Sequence, residues 1–453
     1  MKMTYGNIND PLSEAGCEHN QKQHKAKKDK PCTQFSKPGD AQGNCAFDGA
    51  MMTLVPITDA AHLVHGPSGC AGNSWGSRSN LSSGSMLYKI GFTTDIDESN
   101  IIFGGAKKLY QAILEVERRY KPAAVFVYST CITALIGDDI NGVCKAAAQK
   151  TGTPIIPVNS PGFTGSKNLG SRVAGEALLE HVIGTVEPDL TTPYDINLIG
   201  EYNIAGAIWK VVPLLEKLGI RVLGKITGDA RYQEICYAHR AKLNVIICSK
   251  ALLHMARKME ELYGIPYIHE SLYTVQDTNT CLRNIAAKFA DPNLQERTEK
   301  LIAEETAALD EALAPYRQQL TGKRAVLSPE VTKSWSIISA VKHLGMELIA
   351  TSTLKSTEGS IILEQESSKE ILQIINENKA DILIADGRYQ YTALQARIPF
   401  LDINQEHHHL YAGYVGMLEV AQKLYKTLYS PVWGQVCKSA PWETNWASTA
   451  HCK

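Results

Sequence analysis

The sequence predicts an α/β protein of three Rossmann-like units, each a parallel sheet flanked by helices. Three observations predict it. Short β-branched segments bounded by turn residues recur along the chain, as buried parallel strands should. Amphipathic helical patterns separate them. After a polar, Ala/Glu-rich helical stretch at 292–320, the same alternation begins again.

In chain order, residues 1–44 read as a polar extension, with KQHKAKKDK, Pro31 and Pro38 and too few apolar residues to pack a core. Cys17, His19, His24 and Cys32 fall here in no closed zinc spacing, so solvated thiols are expected. A first unit spans 45–190, with a strand at 123–129 and another at 154–158. Its helix at 104–120 sets Leu109, Ile113, Val116 and Tyr120 on one face. A second unit, 191–320, holds strands at 195–200 and 243–249 and a helix at 204–219 that stops on glycine. A third, 321–430, holds strands at 324–328, 346–351 and 381–387, and 431–453 is a tail.

The 453 residues carry 46 basic and 47 acidic side chains, a net charge of −1. That balance gives no reason to expect nucleic-acid or anionic-membrane binding. No apolar run of about 18 residues is present and the N-terminus is polar, so a cytoplasmic protein is expected. No GxxxxGK[ST] phosphate loop occurs, so any nucleotide step belongs to a partner.

Eleven cysteines, an odd count in a chain of this kind, read as core, reactive thiols or metal ligands. Three sit in glycine-rich turns: Cys45 in GNCAFDGA, Cys70 in HGPSGCAG and Cys131 in YSTCITALIGDD. A cubane iron–sulfur cluster takes four thiolates. The fourth must come from elsewhere in this chain or from another chain. Cys248 closes the strand LNVIICS, where α/β folds bind ligands, although core packing would explain it as well. Cys144 reads as packed within a helix, and Cys236 and Cys281 have no motif. His65 reads as satisfying a turn backbone, and Glu201 and Asn203 as lining a pocket or capping the next helix.

Read together, NCAFDGA, HGPSGCAG, GFTTDIDESNIIFGGAKKLYQAI, VFVYSTCITALIGDDI, GFTGSKNLGSRVAGEA, INLIGEYNIAG, ICSKAL, ARIPFLDINQE and AGYVGMLE stand in matching order from residue 44 to about 418. They resemble the nitrogenase α-subunit superfamily and, within it, cofactor-assembly scaffolds of the NifE and VnfE type. The resemblance implies that Cys45, Cys70 and Cys131 are three ligands of a [4Fe-4S] cluster at a subunit interface. The fourth ligand would come from a homologous NifN- or VnfN-type β chain in an α2β2 heterotetramer. It implies that Cys248 holds one end of a larger iron–sulfur cofactor precursor that receives molybdenum or vanadium and homocitrate, with Arg78 lining the pocket.

Catalytic α-subunits hold the opposite end of the cofactor by a histidine, where this chain has Asn404, a poor ligand beside an imidazole. Were the alignment one position out, His407, His408 or His409 would be the ligand; the flanking IPF and AGY segments argue against it. Where catalytic subunits carry a glutamine and a histidine, this chain has Lys167 and Ser171, and serine cannot deliver a proton near neutral pH. One strong anchor suits a cluster meant to be released. The implied function is therefore a scaffold that accepts a precursor from a donor, matures it with an Fe-protein ATPase and passes it to the catalytic nitrogenase component. The rival readings are the catalytic α-subunit of an alternative nitrogenase, a related two-component reductase, or an electron-transfer module. Pro329 and Glu330 replace the usual Gly-Gly before KSW. That departure leans to vanadium without deciding between the metals.

Overall fold

The computed structural model describes residues 45–247, 250–328, 334–351, 360–363, 367–403 and 411–438. Cys17, Cys32, Cys248, Pro329, Glu330, Asn404 and His407 to His409 lie outside them. The α/β class follows the alternation in the sequence. Three sheets form, and every strand pairing among the described residues is parallel.

The first sheet contains β1 (Ala61–His65), β2 (Phe92–Thr93), β3 (Val125–Ser129) and β4 (Ile155–Val158), in the order β2-β1-β3-β4. The second contains β5 (Asp195–Ile199), β6 (Arg221–Ile226), β7 (Leu243–Ile246) and β8 (Tyr267–His269), ordered β6-β5-β7-β8. The third, β9 (Arg324–Ser328), β10 (Glu347–Thr351), β11 (Ile361–Ile362), β12 (Ile382–Ala385) and β13 (Phe400–Asp402), is ordered β11-β10-β9-β12-β13. In each sheet the chain winds outward in both directions from a central pair: β1/β3, β5/β7 and β9/β12. Such switch points open a crevice beyond the carboxyl ends of the two strands. The turns after β1 and β3 carry Cys70 and Cys131, and β7 ends two residues before Cys248 in the sequence.

The long helix Pro292–Leu320 begins and ends where its composition predicts, with Asp291 capping it and Pro292 in the first turn. The helix Ala106–Tyr120 buries Leu109, Ile113 and Val116 as expected. Tyr120 departs from that face: it is 42% exposed, its ring edge-on to Phe92 at 5.0 Å. It is the helix's last residue, beyond the turn that the sheet covers.

β1 was not expected, because His62 and His65 break the apolar run AHLVH. Both are fully buried and satisfied. His62 pairs with Tyr128 and the Ile57 carbonyl, and His65 with Thr94 and Asp138. One core joins the first two units. Met51 and Leu54, from the helix that follows Cys45, share it with Ile199, Ile226 and Ile246 at the ends of the second sheet's strands. No described helix is long and apolar enough to cross a membrane.

Candidate functional site

Each of the three spaced cysteines begins or enters a helix. Cys45 is the extended residue that opens the helix Ala46–Leu54 (φ −83°, ψ 176°). Its backbone is pinned by an isolated antiparallel bridge to Ser166, with the Ala46 amide donating to the Gly165 carbonyl at 2.9 Å. Cys70 lies in the first turn of Ser68–Asn73, its amide donating to Pro67 O at 3.1 Å. Cys131 is the first residue of Cys131–Leu135. The partial positive charge at a helix start suits an anionic ligand.

The Cys70 and Cys131 turns are tied to each other. Thr130 and Thr133 both donate their hydroxyls to the His65 carbonyl, at 3.0 and 3.1 Å, while the Thr130 amide donates to Thr133 Oγ1 at 3.0 Å. Gly66 is required beneath them, since a Cβ there would stand 2.3 Å from Thr130 Oγ1. His65 holds a carboxylate, not a turn backbone: its ring nitrogens meet Thr94 Oγ1 at 3.1 Å and Asp138 Oδ2 at 3.0 Å. The Thr94 hydroxyl serves one nitrogen, so the other carries the proton donated to Asp138.

The three thiols converge. A Cβ on Gly162 would lie 2.9 Å from Cys45 Sγ and 3.1 Å from Cys131 Sγ, so the bare glycine leaves room for both sulfurs. Burial, then Cys131 and Cys45, then Asp48 push the Cys70 thiol upward, which places all these groups in one electrostatic neighbourhood. All three cysteines are half-buried, at a rim rather than in the core. Among the described residues, no three His, Cys, Asp or Glu groups are placed to hold a single metal ion. In a multi-iron cluster, unlike a single-ion site, each thiolate takes its own iron. An all-sulfur donor set, room over Gly162 and an open rim suit such a cluster lacking one ligand.

Asp48 is a member of the site that sequence reasoning missed. It is buried, and burial raises its carboxyl above the usual range, only partly offset by Asn73, which donates to Oδ2 at 3.0 Å, and by Lys167. It faces inward one turn into the Cys45 helix. That helix crosses Lys167–His181 on two glycines: a Cβ on Gly49 would stand 1.9 Å from Lys167 O, and one on Gly170 would stand 1.9 Å from Ala46 O. No local sequence pattern signals such a contact.

Of the residues assigned to the larger cofactor, Arg78 closes the short 3-10 helix Ser74–Arg78 and is only 4% exposed. Burial lowers its pKa, so it is no surface salt bridge. Lys167 is exposed in the first helical turn. Ser171 is buried one turn on, its hydroxyl directed at Gly49 O and Lys167 O at 3.4 Å each. Asn203 Oδ1 accepts from the Ile208 amide at 3.1 Å, capping the helix as one of its two readings expected. Glu201 is buried, accepting from the Asn203 amide at 3.1 Å and from the Tyr273 hydroxyl. Cys144, Cys236 and Cys281 are buried in the core. The structure thus brings Cys45, Cys70 and Cys131 together, with Lys167 close enough to act on Asp48, and buries Arg78.

The model of the nitrogenase component 1 type oxidoreductase family matches residues 45–429. The nitrogenase iron–molybdenum cofactor biosynthesis protein NifE of Nostoc sp. (strain PCC 7120) is 67% identical over 463 residues, covering 100% of this chain and 96% of that protein. The protein of the same name from Klebsiella pneumoniae is 47% identical over 453 residues, covering 95% of this chain and 98% of its own. A solved structure of nitrogenase Cp1 at pH 6.5 superposes with a TM-score of 0.77 at 27% identity, covering 92% of this chain and 93% of that one. The chain belongs to the nitrogenase component 1 type oxidoreductase family.

Proposed function

We propose that this chain is the α-type half of a scaffold on which an iron–sulfur precursor is matured into the nitrogenase cofactor and then handed to the catalytic component. The observation that carries this is the convergence of Cys45 and Cys131 over Gly162, with Cys70 in their electrostatic neighbourhood and all three half-buried, in a chain 67% identical to a protein named for cofactor biosynthesis. In this reading a [4Fe-4S] cluster held by the three thiols takes its fourth thiolate from a NifN-type β chain. When bound, that cluster supplies one-electron transfer and a covalent link between the two chains.

The chain's own residues prepare this. Gly162 leaves room for the Cys45 and Cys131 sulfurs, and the Thr130/Thr133 clasp on His65 O holds two cysteine turns in fixed relation. Leu135, at the end of the Cys131 helix, is 74% exposed, and Phe163, next to Gly162, is 59% exposed. Large apolar side chains left in water beside a metal site suit a protein partner. The β chain and an Fe-protein ATPase are the partners assigned to this surface.

The cargo precursor is held by Cys248, with Asn404 in place of a second strong ligand, while heterometal and homocitrate are added. The iron–molybdenum name carried by the relatives favours molybdenum over the vanadium suggested by Pro329 and Glu330. A cytoplasmic location accords with oxygen-labile iron–sulfur chemistry.

Transfer separates this reading from the reductase rival. The complex, isolated anaerobically from cells that make the precursor, is mixed with cofactor-free catalytic component. Activation of that component, with no acetylene reduction by the complex alone above background, is the expected result. Sustained acetylene or dinitrogen turnover by the complex alone would overturn the scaffold reading.

A further inference from the structure

The helix Cys131–Leu135 is five residues long and buries only Thr133. A helix that short does not hold its shape in water on its own, and Leu135 at its end is 74% exposed. What fixes it must come from outside. Both of its ends lead to one residue, His65, at the end of β1.

At the start of the helix, the Thr130 and Thr133 hydroxyls donate to the His65 carbonyl. At the far end the chain turns back through Gly137 (φ +77°), and the Asp138 amide donates to Thr133 O at 3.1 Å. That turn brings the Asp138 carboxylate to His65 Nε2, at 3.0 Å. The main chain and the ring of a single residue therefore grip the two ends. The His65 side chain is fully enclosed, and that of Asp138 is 5% exposed.

The ring is held in one orientation. Thr94 Oγ1 takes the Gly66 amide at 3.1 Å and gives its own hydrogen to His65 Nδ1, also at 3.1 Å. The Nε2 hydrogen is left for Asp138. From the other side the carboxylate takes the Gly105 amide, at 2.9 and 3.1 Å. Gly105 packs so closely that a Cβ there would lie 2.7 Å from Asp138 Oδ2 and 2.9 Å from His65 Cε1. The chain from His65 to Cys70 is fastened to the loop after β2. There the Ile96 amide donates to Gly66 O at 3.2 Å, and Asp95 Oδ1 accepts the Ser68 amide at 3.1 Å.

We propose that the His65–Asp138 hydrogen bond sets the Cys131 thiolate in place relative to Cys70, making His65 and Asp138 positioning residues for the interface cluster. This rests on the assignment of that cluster to Cys45, Cys70 and Cys131 above. A site that takes three thiolates from this chain has no spare ligand to correct a misplaced one. Its geometry must be set by the groups around the ligands. The threonine clasp fixes only the first turn of the Cys131 helix, and the Asp138 carboxylate fixes its exit.

The test uses the dithionite-reduced complex with the β-type partner. It reads the electron paramagnetic resonance signal of the interface cluster and the rate at which a ferrous chelator removes that cluster's iron, the interface fraction being what disappears in Cys131→Ala. His65→Asn keeps an acceptor for the Thr94 hydroxyl but falls short of Asp138. His65→Gln places an amide nitrogen near the position of Nε2 and can donate to Asp138. Both replace a buried ring by a smaller amide, so a defect of packing alone would strike both. His65→Asn is expected to shift the g values and to lose interface iron about tenfold faster, the order expected for one hydrogen bond to a charged group. His65→Gln should keep the wild-type signal and rate. Equal behaviour of the two variants overturns the proposal. The double variant of His65→Asn with Asp138→Ala should be no worse than Asp138→Ala, because both remove one interaction; additive effects overturn it too.

If His65→Asn does not assemble, Gly105→Ala decides, since it leaves both side chains in place and drives a methyl against their contact. A shifted signal is expected, and a wild-type signal and rate overturn the proposal. Cys131→Ala separates the two levels. Interface iron and signal that persist in that variant remove the three-cysteine reading and this proposal with it. A signal lost in Cys131→Ala but unaltered in His65→Asn removes this proposal alone.

Discussion

Gly49→Ala and Gly170→Ala each destabilise the first unit by about 3 kcal/mol or more and strip the complex of its interface cluster. Glycine inside a helix costs about 1 kcal/mol relative to alanine, so helix propensity alone would make both changes stabilising. Packing reverses the sign. Each new methyl would stand 1.9 Å from a backbone carbonyl oxygen on the facing helix, and a carbonyl in a helix cannot rotate aside. Overpacking of this kind typically costs about 1–3 kcal/mol and more where nothing can yield. The helices must move apart, carrying Cys45 away from the Ser166 bridge and from Cys131. Thermal unfolding and iron content check this. Gly434→Ala, inside the helix Pro431–Val436 where an added Cβ meets nothing within 4 Å, is the control and should be stabilising by up to about 1 kcal/mol. Wild-type stability and iron in either helix-contact variant would show that the two helices do not meet as described.

Cys45→Ala, Cys70→Ala and Cys131→Ala should each remove about one cubane's worth of iron per αβ pair and loosen the hetero-oligomer, with little change in the fold of this chain. Magnitudes separate the two effects. Losing a half-buried sulfur costs on the order of 1 kcal/mol of burial. A structural metal link contributes on the order of 10 kcal/mol. Cys144→Ala, Cys236→Ala and Cys281→Ala should do the reverse, leaving iron intact while lowering stability, because these thiols are enclosed in the core. Iron content with size-exclusion chromatography of the complex reads both outcomes. Retention of the interface cluster by Cys45→Ala would break the three-cysteine assignment.

The parallel α/β class was legible because runs such as VFVYS and LNVI bury on both faces of a sheet and leave a continuous apolar signature. β1 was not, since its two histidines are paid for by partners distant in sequence, Tyr128 and Asp138. The cysteine trio was legible from its turns, of which those of Cys70 and Cys131 follow strand ends and that of Cys45 opens a helix. What lay beyond the sequence was tertiary: Gly162 between two sulfurs, Gly49 against Lys167 O, and Asp48 folded inward beside Cys70. Such contacts join residues far apart in the chain, and no local period encodes them. Cys248 and Asn404 rest on resemblance and on their position after switch-point and neighbouring strands, β7 and β13.

In the function proposed above, this chain carries two iron–sulfur loads, one shared with a partner and one in transit. Iron counted per αβ pair in the Cys248→Ala complex, isolated anaerobically from cells that make the precursor, tests it most directly. The scaffold account predicts that one cubane's worth of iron remains while the larger cluster's iron is lost. Iron content equal to that of the wild-type complex would contradict it.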